Sequence, residues 1–303
     1  MQRRQRATFW ILIVVSVCAL LYIYIGGQTF YKQNRQTTPQ SPHRLLWGAF
    51  VGEGKDALQK FEALVGKKTD IVAIFLDWDT TFPSSATATI GSEKKTLLIF
   101  WEPTFGYDEI LTGTYDNYLK QFAADAKTYG YPVLLVPFAE MNLNQEAWGY
   151  NKNGNTAQKF VAAWKHVHGF FANAKNVRFG LAYNNTSIPD TKDNAMTNYY
   201  PGSEYVDYVG VDGFNFNEEN ESPTQLFDPI MQELERYHKP IYIFSTGAVA
   251  QNDKAAWITA FGEHIKNYKA LQGWLWFNSN GRDGNWLVDS DPSSLQAFQH
   301  IVP

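Results

Sequence analysis

Eight short apolar runs divide most of this chain into repeating units of strand followed by helix, and that alternation limits the folds open to it. The runs are residues 45–51, 71–78, 96–101, 132–138, 177–183, 206–214, 240–244 and 273–277. Their near-continuous apolar character marks strands buried on both faces, as in parallel sheets covered by helices. Between several of them, apolar residues recur at helical spacing. In 115–129, Tyr118, Leu119, Phe122 and Ala126 share a face; in 156–172, Phe160, Ala163, Trp164, Val167 and Phe171 do. Residues 225–237, 254–268 and 294–302 continue the pattern. Eight units in about 260 residues predict an α/β fold, one (β/α)8 TIM barrel over 43–303. Gly52-Glu53-Gly54 lacks the third glycine of a dinucleotide fingerprint, which argues against an open nucleotide-binding sheet.

The region ahead of the barrel has a different character. Arg3, Arg4 and Arg6 precede an apolar run over 9–25, about long enough to span a bilayer. No small-residue cleavage site follows, because Tyr22-Ile23-Tyr24-Ile25 leads directly into Gly26-Gly27. Residues 1–27 therefore read as a cytoplasmic basic flank and a transmembrane signal-anchor helix. Residues 28–42 are polar, rich in Gln, Thr and Pro, and read as a linker. This predicts a single-pass membrane protein with its barrel outside the cytoplasm. A formal net charge of -4 provides no basic excess for nucleic acid. The one cysteine, Cys18, lies within the apolar run, so neither an internal disulfide nor a cysteine metal site is expected.

Barrels of this kind place their active sites at the C-terminal ends of the strands. Those ends carry Asp77-Trp78, Trp101-Glu102, Glu140-Met141-Asn142, Tyr183-Asn184, Asp212-Gly213-Phe214, Ser245-Thr246-Gly247 and Trp276-Phe277-Asn278. Sugar recognition needs this mixture: aromatic rings for C–H faces, carboxylates and amides for hydroxyls. Each residue has a structural alternative, since acids also cap helices and tryptophans also fill cores. Glu140 closes an apolar strand and is soon followed by Trp148, a setting that raises a carboxyl pKa and suits a general acid. His166, His168 and His264 fall on helical stretches and read as packing or surface residues. Asp289-Ser290-Asp291 reads as a helix cap ahead of Ser293 rather than a calcium loop. No metal cluster or cofactor motif is expected.

Taken in order, several segments carry a family resemblance. They are Asp77-Trp78, Trp101-Glu102-Pro103, Pro137-Phe138-Ala139-Glu140-Met141-Asn142 with Trp148-Gly149, Tyr199-Tyr200-Pro201-Gly202 leading to Asp212-Gly213, Lys239-Pro240-Ile241 and Trp276-Phe277-Asn278. With them, the chain from Trp47 onward resembles glycoside hydrolase family 26, the β-mannanase and β-1,3-1,4-glucanase family. The resemblance implies Glu140 as acid/base, Trp276 at the sugar subsite of the reaction centre, and Asp212 nearby. It implies a β-mannan or β-glucan partner and no cofactor. Asp77, Trp78, Trp101, Glu102, Asn142, Trp148, Tyr183, Asn184, Asp212 and Trp276 become the substrate-binding candidates.

The sequence also departs from the family. The family nucleophile is a glutamate two residues before the glycine that follows the seventh strand. That glycine is Gly247 here, so Ser245 stands at the nucleophile position. Ala139 and Leu143 replace a frequent histidine and the usual glycine around the acid/base. A retaining mechanism needs an anionic carboxylate to attack the sugar. Two readings follow. One is a polysaccharide-binding barrel with lost or altered catalysis. The other is an active endo-β-glycosidase in which Asp77, Glu102 or Asp212 serves as the base.

Overall fold

A computed structural model describes residues 44–303 apart from 53, 55, 217–219, 250–252 and 282–283. The expected anchor and linker, 1–42, lie outside the described residues. Among the described residues, no helix is long and apolar enough to cross a membrane.

The first half of the barrel runs β1 (Leu46–Phe50), α1 (Ala57–Val65), β2 (Ile71–Asp77), α2 (Ser84–Ser92), β3 (Thr96–Glu102), α3 (Tyr107–Leu111), α4 (Asp116–Tyr129) and β4 (Val133–Pro137). The second half runs α5 (Ala157–Phe170), β5 (Val177–Asn184), β6 (Tyr208–Asn215), α6 (Pro223–Glu235), β7 (Ile241–Ala248), α7 (Lys254–His264), β8 (Leu271–Phe277) and α8 (Pro292–Ile301). The strands are parallel and close in the order β1 to β8. Closure is a five-residue register from Leu46 opposite Gly273 to Phe50 opposite Phe277. Helices α1 and α2 are not among the periodic stretches read from the sequence. In α2, Ser84-Ser85-Ala86-Thr87-Ala88-Thr89 gives little apolar periodicity to detect.

Successive strand residues point to opposite faces, and this splits the core in two. Ile71, Ala73, Leu98, Phe100, Leu134, Val136, Ala182, Tyr242, Phe244 and Leu275 fill the barrel interior. A larger cluster lies between strands and helices, where Trp47, Trp101, Trp274 and Trp276 meet Phe61, Phe122, Phe261 and Phe298. Two interior glycines make room for a ring. A Cβ on Gly180 would stand 2.7 Å from Phe244 Cζ, and one on Gly210 would stand 2.5 Å from the same ring.

Helix starts follow local chemistry. Ser222 and Gln225 form a capping box ahead of α6, with Pro223 at the first turn. Asp291 caps α8 by accepting from the Ser294 backbone N–H at 2.9 Å, as the sequence suggested. Two of the helical histidines are tied to acids: His166 to Asp116 and His264 to Asp228, each at 2.7 Å. His168 packs at a tilt against Phe179 and edge-on against Tyr205.

The outer layer leads to one prediction. Trp101 is fully buried and stacks at 4.6 Å on Trp78 and at 4.3 Å on Phe122. Trp101→Ala should lower unfolding free energy by about 3–5 kcal/mol in a denaturant titration. A loss below about 1 kcal/mol would mean the ring is not part of the core.

Candidate active site

The site begins with strained backbone after β4. Phe138 and Glu140 both adopt φ of 57°, the left-handed region that non-glycine residues avoid. Such strain persists where surrounding bonds enforce it, and it gathers at functional sites. Three contacts enforce it here. The Phe138 N–H donates to the Trp101 carbonyl at 3.2 Å, and the Glu140 N–H to the Ala182 carbonyl at 3.0 Å. The Trp148 indole N–H donates to the Ala139 carbonyl at 2.8 Å. The result lifts Glu140 over the end of β5.

Asn142 fixes what Glu140 meets there. Its Oδ1 accepts from the Asn184 N–H at 2.9 Å, and its Nδ2 donates to the Asn184 and Thr186 carbonyls at 3.0 and 3.1 Å. Asn194 Nδ2 supports it by donating to the Asn142 carbonyl at 2.9 Å. Asn184, held in this way, donates from Nδ2 to Glu140 Oε1 at 2.6 Å.

Register carries the site across the next strands. Asn184 lies opposite Asp212, and Asp212 lies opposite Ser245. The register slips by one residue between Val211 and Asp212: Val211 faces Ile243, so Phe244 is extra and Ser245 rather than Phe244 aligns with Asp212. On the other side, Asp77 at the end of β2 lies opposite Glu102 at the end of β3. Glu140, Asn184, Asp212, Ser245, Glu102 and Asp77 therefore all come from strand ends around one mouth.

The electrostatics of this mouth are one-sided. Burial pushes the Glu102 carboxyl up to about 8, with Glu146, Asp77 and Glu140 adding repulsion. Burial also raises Glu140; the Asn184 bond opposes the rise and Glu146 reinforces it. Asp212 is raised well above the carboxylate range, chiefly by burial and then by Glu140 and Glu102, with only the Ser245 backbone opposing. Asp212 is 3% exposed, and its Oδ1 has no hydrogen-bond partner among the described residues. Glu102, at about 8, can donate a proton at neutral pH and is poor at accepting one.

Six of the ten sequence-named sugar contacts, Trp78, Trp101, Asn142, Trp148, Tyr183 and Trp276, are buried away from the mouth. Trp78, Trp101, Tyr183 and Trp276 are fully buried in the outer layer, between strands and helices. Alternation explains this: Asp77, Glu102 and Asn184 face the mouth, so Trp78, Trp101 and Tyr183 beside them must face outward. Asn142 is also fully buried and engages backbone, and Trp148 is buried under the Glu140 turn. Trp276 donates from its indole N–H to the Trp286 carbonyl at 2.8 Å instead of lining the groove.

The aromatic surface at the mouth was missed by the sequence reading. It is built from phenylalanines. Phe50 stacks on Phe277 at 5.1 Å and meets Phe75 edge-on at 4.9 Å. Phe214 reaches Phe277 at 5.9 Å and Trp286 at 5.1 Å, and Phe216 meets Trp286 at 5.1 Å. Phe75 and Phe216 are 37% and 42% exposed. Phe277, next to Trp276, and Phe75, two residues before Asp77, could have been found from strand parity. Trp286 sits just after a short hairpin, Asn280–Gly281 with Gly284–Asn285, and no strand pattern announces it.

A pH prediction follows from Glu102. Its carboxyl is raised from an ordinary 4.5 to about 8 in the fold, so the folded state binds the extra proton in between. Stability should therefore fall as pH rises from about 5 to 8, by on the order of 2–4 kcal/mol. Urea midpoints for the parent and for Glu102→Gln should show the variant flattening much of that slope. An unchanged slope would contradict a buried, protonated Glu102.

The comparisons agree with this architecture. The model of glycosyl hydrolase family 26 matches residues 67–290. Endoglucanase H of Acetivibrio thermocellus is 32% identical over 273 residues, covering 84% of this chain and 30% of that protein. Mannan endo-1,4-beta-mannosidase A and B of Caldalkalibacillus mannanilyticus is 32% identical over 90 residues, 28% of this chain and 17% of that protein. The chain thus spans less than a third of either relative. Among solved structures, a GH26 beta-mannanase from Bacteroides ovatus superposes with a TM-score of 0.65 at 14% identity, covering 85% of this chain and 88% of that one. The YdhT protein from Bacillus subtilis does so with 0.64 at 18% identity, covering 84% and 85%. At such identities the structural likeness speaks for the fold, while the family match extends from the loop after α1 to the loop before α8. The chain belongs to glycosyl hydrolase family 26.

Proposed function

We propose that the barrel holds a β-linked glucan or mannan chain across its mouth without cutting it by the two-carboxylate retaining route. The observation that carries this reading is Ser245, in register with Asp212 where the family resemblance calls for a glutamate. A serine hydroxyl is neutral near pH 7 and cannot stabilise an oxocarbenium-like centre as a carboxylate does. The polymer class is supported by relatives named for glucan and mannan cleavage. Phe50, Phe75, Phe277, Phe214 and Phe216 offer apolar faces for sugar rings. Asn184, Glu140, Asp212, Glu102 and Asp77 offer polar atoms for hydroxyls.

An active enzyme using a different base is the alternative, and the electrostatics weigh against Glu102 and Asp212 in that role. Glu102, at about 8, keeps its proton at neutral pH, and Asp212 is raised further by burial beside two acids. Neither accepts a proton from water readily. Burial raises the Glu140 carboxyl, which suits the proton donor of the pair. The basic flank and apolar run of 1–27 support a membrane tether with the barrel outside the cytoplasm.

The test pairs binding with turnover. The parent protein should retain mannan or mixed-linkage glucan on an affinity gel and release no reducing ends from either. Ser245→Glu should gain cleavage of at least one polymer, about 10³-fold or more above the parent. Turnover by the parent that Glu140→Gln abolishes would contradict the proposal, and so would a parent that binds neither polymer.

A further inference from the structure

The mouth gathers five carboxyl side chains, Asp77, Glu102, Glu140, Glu146 and Asp212, and no cation among the described residues answers them. None of the ion pairs among the described residues includes any of the five. Every charged group that perturbs Glu102, Glu140 or Asp212 is another acid of this set. The groups facing Asp212 are Glu140 and Glu102, with the Ser245 backbone as its one favourable contact. The buried carboxyl of Asp212 also leaves Oδ1 without a donor among the described residues. Asp212 shares the mouth with Glu140, because Asn184 both pairs with Asp212 in register and donates to Glu140.

A buried acceptor without a donor is rare in folded proteins and marks a place where a ligand can supply one. A sugar hydroxyl could fill it. A sugar ammonium would fill it and also neutralise the mutual repulsion of the acids, which a hydroxyl cannot do. A uronate brings no counter-charge and would favour the ionised form of none of these carboxyls.

We propose that this groove selects β-linked polysaccharide bearing free amino groups, an N-deacetylated glycan, with one ammonium seated against Asp212 and with Glu102 and Glu140 around it. This rests on the glycan-binding reading above and narrows its ligand. The ammonium supplies the missing counter-charge, so a carboxyl ionises on binding and passes its proton to solvent.

Calorimetry on the full-length protein at about pH 6 tests this with soluble hexamers: β-1,4-glucosamine, its fully N-acetylated counterpart, cellohexaose and mannohexaose. The amine hexamer should bind about tenfold or more tightly than the other three. Its apparent enthalpy should change with buffer ionisation, which reports a released proton, while the others show no such dependence. Asp212→Asn should reduce the amine preference, read as the ratio of amine to acetylated affinity, to about threefold or less. Glu102→Gln provides the same comparison should Asp212→Asn fail to fold. Equal affinity for amine and acetylated hexamers would overturn the inference and leave the glycan-binding reading intact. An amine preference that survives both substitutions would overturn it as well, by placing the attraction elsewhere on an acidic surface. No binding of any hexamer would sink the glycan-binding reading itself.

Discussion

A strand in a closed barrel can present only every second residue to the interior, and the mouth of this molecule follows from that rule. Phe75, Asp77, Phe100, Glu102, Asn184, Asp212, Phe214 and Phe277 belong to the inward set. Their neighbours Trp78, Trp101, Tyr183 and Trp276 belong to the outward set and pack under the helices. The inward set places acids on β2, β3 and β6 and rings on β1, β2, β6 and β8. The loop after β4 adds Glu140. Acid and aromatic sides thus face one opening, and burial, with no cation among the described residues to oppose it, raises Glu102 and Asp212.

The outward and buried residues still determine what the mouth can do, because they aim the residues that face it. Trp148 holds the Ala139 carbonyl, and so the strained turn that raises Glu140. Asn142 binds both backbone groups of Asn184, and Asn184 then reaches the Glu140 carboxyl. Trp276 is tied to the Trp286 backbone, and the Trp286 ring braces Phe214 and Phe216. Lys254 braces the same loop from α7, donating to the Asn285 and Leu287 carbonyls at 3.3 and 2.7 Å. Residues that resemble sugar contacts in sequence here serve as supports one layer further back.

The barrel was legible because each of its strands is buried on both faces, and such runs stand out between polar connections. The strands begin and end within a few residues of the apolar runs; β7 extends furthest, through Ser245 to Ala248, because its polar end is buried too. The acids of the site were legible from their place at strand ends. Its rings were not, because large tryptophans drew attention away from phenylalanines one residue along. Pairs such as Asp77 with Trp78, or Trp101 with Glu102, cannot both face the mouth, and parity alone would have separated them. Ser245 was found by counting back from Gly247. In the bulge Phe244, not Ser245, is the extra residue, so Ser245 lies opposite Asp212. Glu146 carries no strand signal; the loop after Glu140 brings it close enough to matter.

The proposed function requires an unbroken sugar chain lying over Asp212, between Glu140 and Ser245. A crystal structure of the protein soaked with a β-1,4-linked hexasaccharide measures this directly. The account predicts continuous density for an intact chain crossing the mouth, with a ring against Phe277 and no covalent bond to the protein. Shortened products, a sugar bonded to any side chain, or a chain bound away from Glu140 and Ser245 would contradict it.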